Sequence, residues 1–238
     1  MNGIIRRVRG VVGGGGYRPG GDSGRVVAPF HELYYGSEAQ TWKNTYWLGV
    51  PVSKCPLDLW VYQEIISEVK PGLIVETGTY RGGSALFMAT VCDAVGAGRI
   101  LTIDIEELSA RPEHPRVRYL LGSSTSEEVK REVAQEALAN GPVLVILDSD
   151  HSAAHVLAEL EAYAPLVSPG SYLVVEDTNV NGHPVLADFG PGPMEAVEAF
   201  LRENEEFVID SLREKFMLSF NPKGFLRRVF PAASAGMV

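Results

Sequence analysis

A chain of 238 residues carries 30 acidic against 21 basic side chains, a formal net charge of −9, so its field opposes phosphate backbones and anionic lipid surfaces. That length suits one α/β domain with a sizeable core and is short for two. Cys55 and Cys92 are too few for a disulfide scaffold and lack metal-ligand spacing, so both read as small core residues.

Residues 1–29 include "GVVGGGGYRPGGDSG", whose ordering would cost much backbone entropy and bury little, and this predicts a flexible glycine-rich arm. Its first residues have no apolar core of signal-peptide length, and no later run approaches a membrane span, so a cytoplasmic protein is expected. The basic groups Arg6, Arg7, Arg9 and Arg227, Arg228 lack interleaved aromatics and read as solvated ends. Residues 30–70 form an N-terminal cap, beginning with Tyr34, Tyr35, Trp42, Tyr46 and Trp47, a crowd suited to a lid, a subunit contact or a satellite core. After Pro56, a good first-turn residue, "LDLWVYQEIISEVK" sets Leu57, Trp60, Ile65 and Val69 along one side of a helix that Pro71-Gly72 stops.

From 71 to 231 a rhythm follows. Apolar runs at 73–76, 100–104, 117–121, 143–148 and 171–177 alternate with helix-like segments near 83–94, 125–138, 152–164 and 193–203. Continuous apolar strands with crossover helices predict a doubly wound, mostly parallel α/β sheet of the Rossmann-like type. In "KFMLSFNPKGFLRRVF", Asn221, Pro222 and Gly224 lie between two strand-like runs, predicting an antiparallel C-terminal hairpin that brings the sheet to seven strands.

In such a sheet ligands bind beyond the carboxyl ends of the strands. The first strand ends in Glu76 and runs into Gly78, Gly82 and Gly83; the second ends in Asp104, placed to accept hydrogen bonds from ribose hydroxyls. A nicotinamide dinucleotide would call for GxGxxG, and its pyrophosphate would meet Glu76. S-adenosylmethionine, cationic and free of phosphate, fits both acids. Ser123 and Ser124 at the third strand end could meet adenine or cap the next helix.

The fourth and fifth strands deliver Asp148, Asp150, His151, Glu176 and Asp177 to the same edge. Their mutual repulsion asks for a cation, and oxygen ligands favour Mg²⁺ or a similar hard dication. Alternatively Asp150 caps the helix near Ser152, and Glu176 and Asp177 are solvated loop acids. A hard cation beside a sulfonium suits methyl transfer to an alcohol, with Asp150 or His151 as the base. His155, one turn further on, reads as structural. The loop 179–197, rich in glycine and proline, reads as a flap presenting His183, Asp188 and Phe189 to an acceptor, or as an ordinary connection.

"VETGTYRGGSALFMA", "ILTID", "VILDSDHSAAHVLAELEAYAPLVSPGSYLVVEDT" and "FNPKGFLRRV", preceded by "TWKNTYWLGVPVSKCPLDLWVYQEII", resemble the family labelled cephalosporin hydroxylases, which includes metal-dependent rhamnosyl O-methyltransferases of antibiotic biosynthesis. The resemblance runs from about Trp42 to Val229. It implies that Asp148, Glu176 and Asp177 hold the metal, that Asp150 or His151 is the base, and that Glu76, Gly78, Tyr80, Ser84 and Asp104 line the cofactor pocket. With them go Thr79, Arg81 and Gly83 of the same turn, then Ser123, Ser124 and Asp148. Glu176 departs from relatives that carry Asp there. The implied activity is Mg²⁺- and S-adenosylmethionine-dependent methylation of a rhamnose-type hydroxyl on a glycosylated natural product; the aromatic N-terminal segment adds the expectation of a homo-oligomer, and the acidic charge that of neither a nucleic-acid nor a membrane partner. The competing expectations are oxidative tailoring of a β-lactam-type compound, which lacks an iron triad of two histidines here, and a non-catalytic binding protein on the same fold.

Overall fold

The structure, a computed structural model, describes residues 24–229. Residues 1–23 of the expected arm, with Arg6, Arg7 and Arg9, lie outside the described residues. Residues 24–29 are already helical, in α1 (Gly24–Gly36). A 3-10 turn at Thr41–Asn44 and a small antiparallel pair, β1 (Tyr46–Trp47) and β2 (Val50–Pro51), lead to α2 (Pro56–Val69).

The alternating part follows as β3 (Leu73–Thr77), α3 (Gly83–Val95), β4 (Arg99–Asp104), β5 (Val117–Leu121), α4 (Glu127–Ala139), β6 (Val143–Leu147), α5 (Ala153–Tyr163), β7 (Tyr172–Val175), α6 (Pro193–Glu203), β8 (Phe207–Ile209) and β9 (Phe225–Arg228). Seven strands form one sheet in the order β5-β4-β3-β6-β7-β9-β8. Strands β3 to β7 pair in parallel, and β9 runs antiparallel to both β7 and β8. The expected seven-stranded doubly wound sheet with an antiparallel C-terminal pair is therefore present. The pairing is different in detail: residues 216–220 form no strand, and β9 takes β8 as its partner. Leu218 and Phe220 are drawn instead into a small aromatic core.

Both faces of the sheet are covered, which is why its strands read as unbroken apolar runs. Leu73 and Val75 face a core built with α4, α5 and α6, while Ile74 faces one built with α2 and α3. Helix α2 packs into the same core as α3 and the sheet. Its inner face is Leu59, Tyr62, Ile65 and Ile66, and Trp60 is turned to solvent at 59% exposure, with its indole N–H donating to Glu64 Oε1 at 3.1 Å. The expected placement of Trp60 on the inner side was one position out of phase.

Tyr34, Tyr35 and Trp42 pack on Phe220, Leu218 and Cys55 as a satellite core. Both cysteines are buried and free. Among the described residues no helix is long and apolar enough to cross a membrane. The sheet order reverses between β3 and β6, so the crevice such a sheet offers opens where Gly78 and Asp148 leave their strands.

Candidate functional site

A cleft of about 600 Å³ opens at that switch point. Gly78, Thr79, Tyr80, Arg81, Gly83, Ser84, Asp104, Ser123, Ser124, Asp148, Asp150 and His151 all line it. Gly78 is the tightest point. Its φ is +86°, its N–H donates to Ile103 O at 2.8 Å, and a Cβ there would lie 1.8 Å from Asp148 O, so only glycine lets β3 turn against β6. Gly83 opens α3 with equally little room, 2.1 Å from Pro51 O to a Cβ, and this packs Pro51, Val52 and Ser53 into the cleft wall.

Asp104 ends β4 and organises the loop around it. Its Oδ2 accepts the Tyr80 N–H at 2.7 Å and pairs with Arg111 at 3.1 Å; its Oδ1 accepts the Glu106 N–H at 3.0 Å. Arg111 also donates to Tyr80 O at 2.9 Å, bracing the β3–α3 turn. Glu76 is placed differently from a cleft residue. It is fully buried, its Oε2 accepts the Thr102 hydroxyl at 2.7 Å, its Oε1 has no partner, and burial raises its pKa. Glu76 lies beneath the cleft rather than in its wall.

At the other end, Asp148, His151 and Asp177 bring one ligand atom each within 4.8 Å of one another. His151 Nε2 stands 3.2 Å from Asp177 Oδ2 and 4.0 Å from Asp148 Oδ1. Asp177 is held in a left-handed conformation, φ +53°, with its N–H donating to Asn221 Oδ1 at 3.0 Å. Such φ values are uncommon outside glycine and are tolerated where surrounding structure fixes them. Burial raises the pKa of both aspartates, and the negative charge of Glu176 raises them further. The two carboxylates, crowded together, are oxygen donors that fit a hard divalent cation, with the imidazole of His151 beside them.

Glu176, expected as the third ligand, lies outside that set. Its Oε1 takes a hydrogen bond from Lys54 Nζ at 2.7 Å and another from the Tyr62 hydroxyl. Lys54 also pairs with Asp148 Oδ2. Asp150, the other candidate for the base, stands at the rim of the cleft. It is exposed, and its carboxylate accepts the Ser152 N–H at 2.8 Å. Hydrogen bonding with Ser152 lowers its pKa, leaving it a weak proton acceptor. His151 is the better placed of the two.

Lys54, Tyr62, Arg111 and Asn221 were missed in the sequence. A trace of Lys54 existed, since it is the one charge within "VPVSKCPL"; the other three carry no local signal. Tyr35 and Trp42 belong to the satellite core and also reach the cleft wall. His155, read as structural, lines the cleft too, with Nε2 3.3 Å from Ser124 Oγ. His183 faces away, 3.0 Å from Glu195 Oε1, and Asp188 and Phe189 are not in the cleft wall.

The chain matches the family model described as rhamnosyl O-methyltransferase/CmcI over residues 39–229. It is 41% identical over 235 residues to a rhamnosyl O-methyltransferase of Mycobacterium tuberculosis strain H37Rv, covering 95% of this chain and 93% of that one. With the Mycobacterium leprae rhamnosyl O-methyltransferase the identity is 40% over 232 residues, covering 94% and 98%. A solved CmcI structure containing Mg and SAM superposes with a TM-score of 0.61 at 23% identity, covering 79% of this chain and 78% of that one, a likeness of fold.

Proposed function

The chain belongs to the rhamnosyl O-methyltransferase/CmcI family and is an O-methyltransferase, and on that premise we propose that it methylates a rhamnose-type sugar hydroxyl on a natural product of antibiotic biosynthesis, using S-adenosylmethionine and Mg²⁺. The observation that carries the proposal is the Asp148–His151–Asp177 set standing at one end of a cleft cradled by Gly78.

In this reading Gly78, Tyr80, Ser84 and Asp104 hold the cofactor along the β3–α3 turn, with Asp104 turned toward the ribose. The Glu76 carboxyl lies beneath the turn, where a cationic ligand would favour its ionised form against the effect of burial, and Ser123 and Ser124 close the far end beside adenine. Asp148 and Asp177 hold the dication. When bound, the dication supplies Lewis acidity toward the acceptor oxygen and the cofactor supplies an electrophilic methyl group.

His151 takes the proton from the acceptor hydroxyl at Nδ1, because its Nε2 is turned to Asp177. Asp177, 3.2 Å away, orients the ring and stabilises its protonated form. The wall formed by Tyr35, Trp42, Pro51 and Val52 shields that end from water. An iron oxygenase would need two histidines and a carboxylate; among the described residues the cluster contains His151 alone.

Supplied with S-adenosylmethionine, Mg²⁺ and a panel of acceptors, the protein is expected to add one methyl group to rhamnosyl glycosides and to leave catechols unchanged, as read by mass spectrometry. Catechol methylation at an equal or greater rate would overturn the sugar assignment. Self-association is part of the proposal. It is supported by Val26, Phe30 and Leu33 of α1, which are 67%, 51% and 68% exposed, and monomeric mass in light scattering would overturn it.

A further inference from the structure

We propose that Lys54 is a built-in counter-cation that occupies part of the divalent-metal site and is displaced when the metal binds, releasing Asp148 and Glu176 together. The inference rests on the metal-dependent reading above and concerns how the site is held when no metal is in it.

Lys54 comes from the short segment between β2 and α2, far in sequence from the strand ends. Ser53 before it has φ +57°, a left-handed conformation that a serine adopts at a cost, and Val52 and Cys55 are buried on either side. The segment is therefore fixed so that a lysine only 4% exposed enters the protein from the side of α2. Its Nζ donates to Glu176 Oε1 at 2.7 Å and pairs with Asp148 Oδ2. These two acids directly follow the adjacent strands β6 and β7. The ammonium thus bridges the same pair of strand ends that an oxygen-seeking dication would bridge.

Charge decides what happens on loading. Asp148, Glu176 and Asp177 gather three formal negative charges around one ammonium, so the site attracts further positive charge. A dication on Asp148 would then lie next to the Lys54 ammonium on the same carboxylate, and two such cations repel strongly at that range.

An alternative partner is available. Glu76 is fully buried, and its Oε1 is a carboxylate oxygen without a hydrogen-bond partner. A buried orphan of this kind is costly and calls for a donor. The charge of Glu76 already acts on the Lys54 ammonium, so a shift of Nζ from Glu176 toward Glu76 would keep the ammonium paired and free Glu176 to join Asp148 and Asp177. It also accounts for Glu176 being absent from the cluster at present. A structural salt bridge would stay closed on loading; an exchanging one must open.

The test is Mn²⁺ binding by calorimetry, without cofactor and at a single pH, on the native protein and on Lys54→Met. Competition predicts that Lys54→Met binds Mn²⁺ at least about tenfold more tightly, because a competing positive charge has been removed. Equal or weaker binding by the variant overturns the proposal. Saturable binding by neither protein would overturn the metal reading itself, and this inference with it.

A second measurement needs no variant. In a crystal of the native protein soaked with Mn²⁺, Lys54 Nζ is expected beyond hydrogen-bond distance of Asp148 and Glu176. Persistence of both contacts beside a bound ion would overturn the exchange.

Discussion

Replacing Gly78 by alanine adds one methyl group at the point where the fold makes the cleft. Two costs follow from the structure. At φ +86° an L-residue sits in the left-handed region, a strain of about 1–2 kcal/mol. The new Cβ would also lie 1.8 Å from Asp148 O and 2.5 Å from Asp148 C, backbone atoms that cannot turn aside as a side chain can. Relief requires the ends of β3 and β6 to part, which threatens the bond from Asp148 N–H to Thr77 O at 3.0 Å, worth about 1 kcal/mol. The expected destabilisation is about 3 kcal/mol, with Asp148 carried out of place.

Gly82→Ala is the control. Its φ is +78°, but the nearest atoms to a Cβ are side-chain atoms of Pro112 and Tyr119 at 3.0 Å, so the cost should stay close to the backbone strain alone. Urea unfolding of the two variants, with S-adenosylhomocysteine calorimetry on the same samples, checks the argument. Equal stability of Gly78→Ala and Gly82→Ala would refute it, as would undiminished cofactor binding by Gly78→Ala.

Other substitutions separate the parts of the site. Asp177→Asn is expected to lower methyl transfer at least about 100-fold while cofactor affinity stays unchanged, because the residue serves the cation and His151; a matching loss of S-adenosylhomocysteine affinity would count against that division. Asp104→Ala should weaken cofactor binding and release Tyr80 and Arg111 from the turn, so unchanged affinity would place the ribose elsewhere. Asp58 supplies a pH prediction. Burial raises its pKa from 3.8 to about 8, so the folded chain keeps a proton that the unfolded chain loses above about pH 4. Stability must then fall as pH rises from about 4 to about 8, by up to ~1.4 kcal/mol per pH unit from this group. Denaturant midpoints for Asp58→Asn across that range should show a shallower slope, and an unaltered slope would refute the assignment.

Strands β3, β4, β6 and β7 and the helices between them were legible because those strands are buried on both faces and the crossover helices carry turn residues at their ends; the half-exposed edge strand β5 was legible from its short apolar run. The cofactor turn was legible for a related reason, since glycines demanded by close backbone approach recur at fixed places. What failed were readings that depend on which way a side chain points. Trp60 lies one position from the inner face of α2, and helical periodicity alone does not resolve that. Glu176 sits beside Asp177 in sequence, yet the left-handed turn at Asp177 separates the two carboxylates, and that of Glu176 goes to Lys54 and Tyr62. Lys54 reaches Asp148 across 94 positions, a pairing that no local pattern encodes. The edge strand β8 was overlooked because "FVI" is short and half exposed, while the more apolar 216–220 stretch is consumed by the aromatic core.

The central claim is that Asp148, His151 and Asp177 make a hard dication and a nearby base act together on a sugar hydroxyl. Methyl transfer to a rhamnosyl acceptor, followed by mass spectrometry through exhaustive chelation and then Mg²⁺ readdition, addresses it directly. Activity should vanish on chelation and return with Mg²⁺; full activity in the chelated protein would contradict the claim.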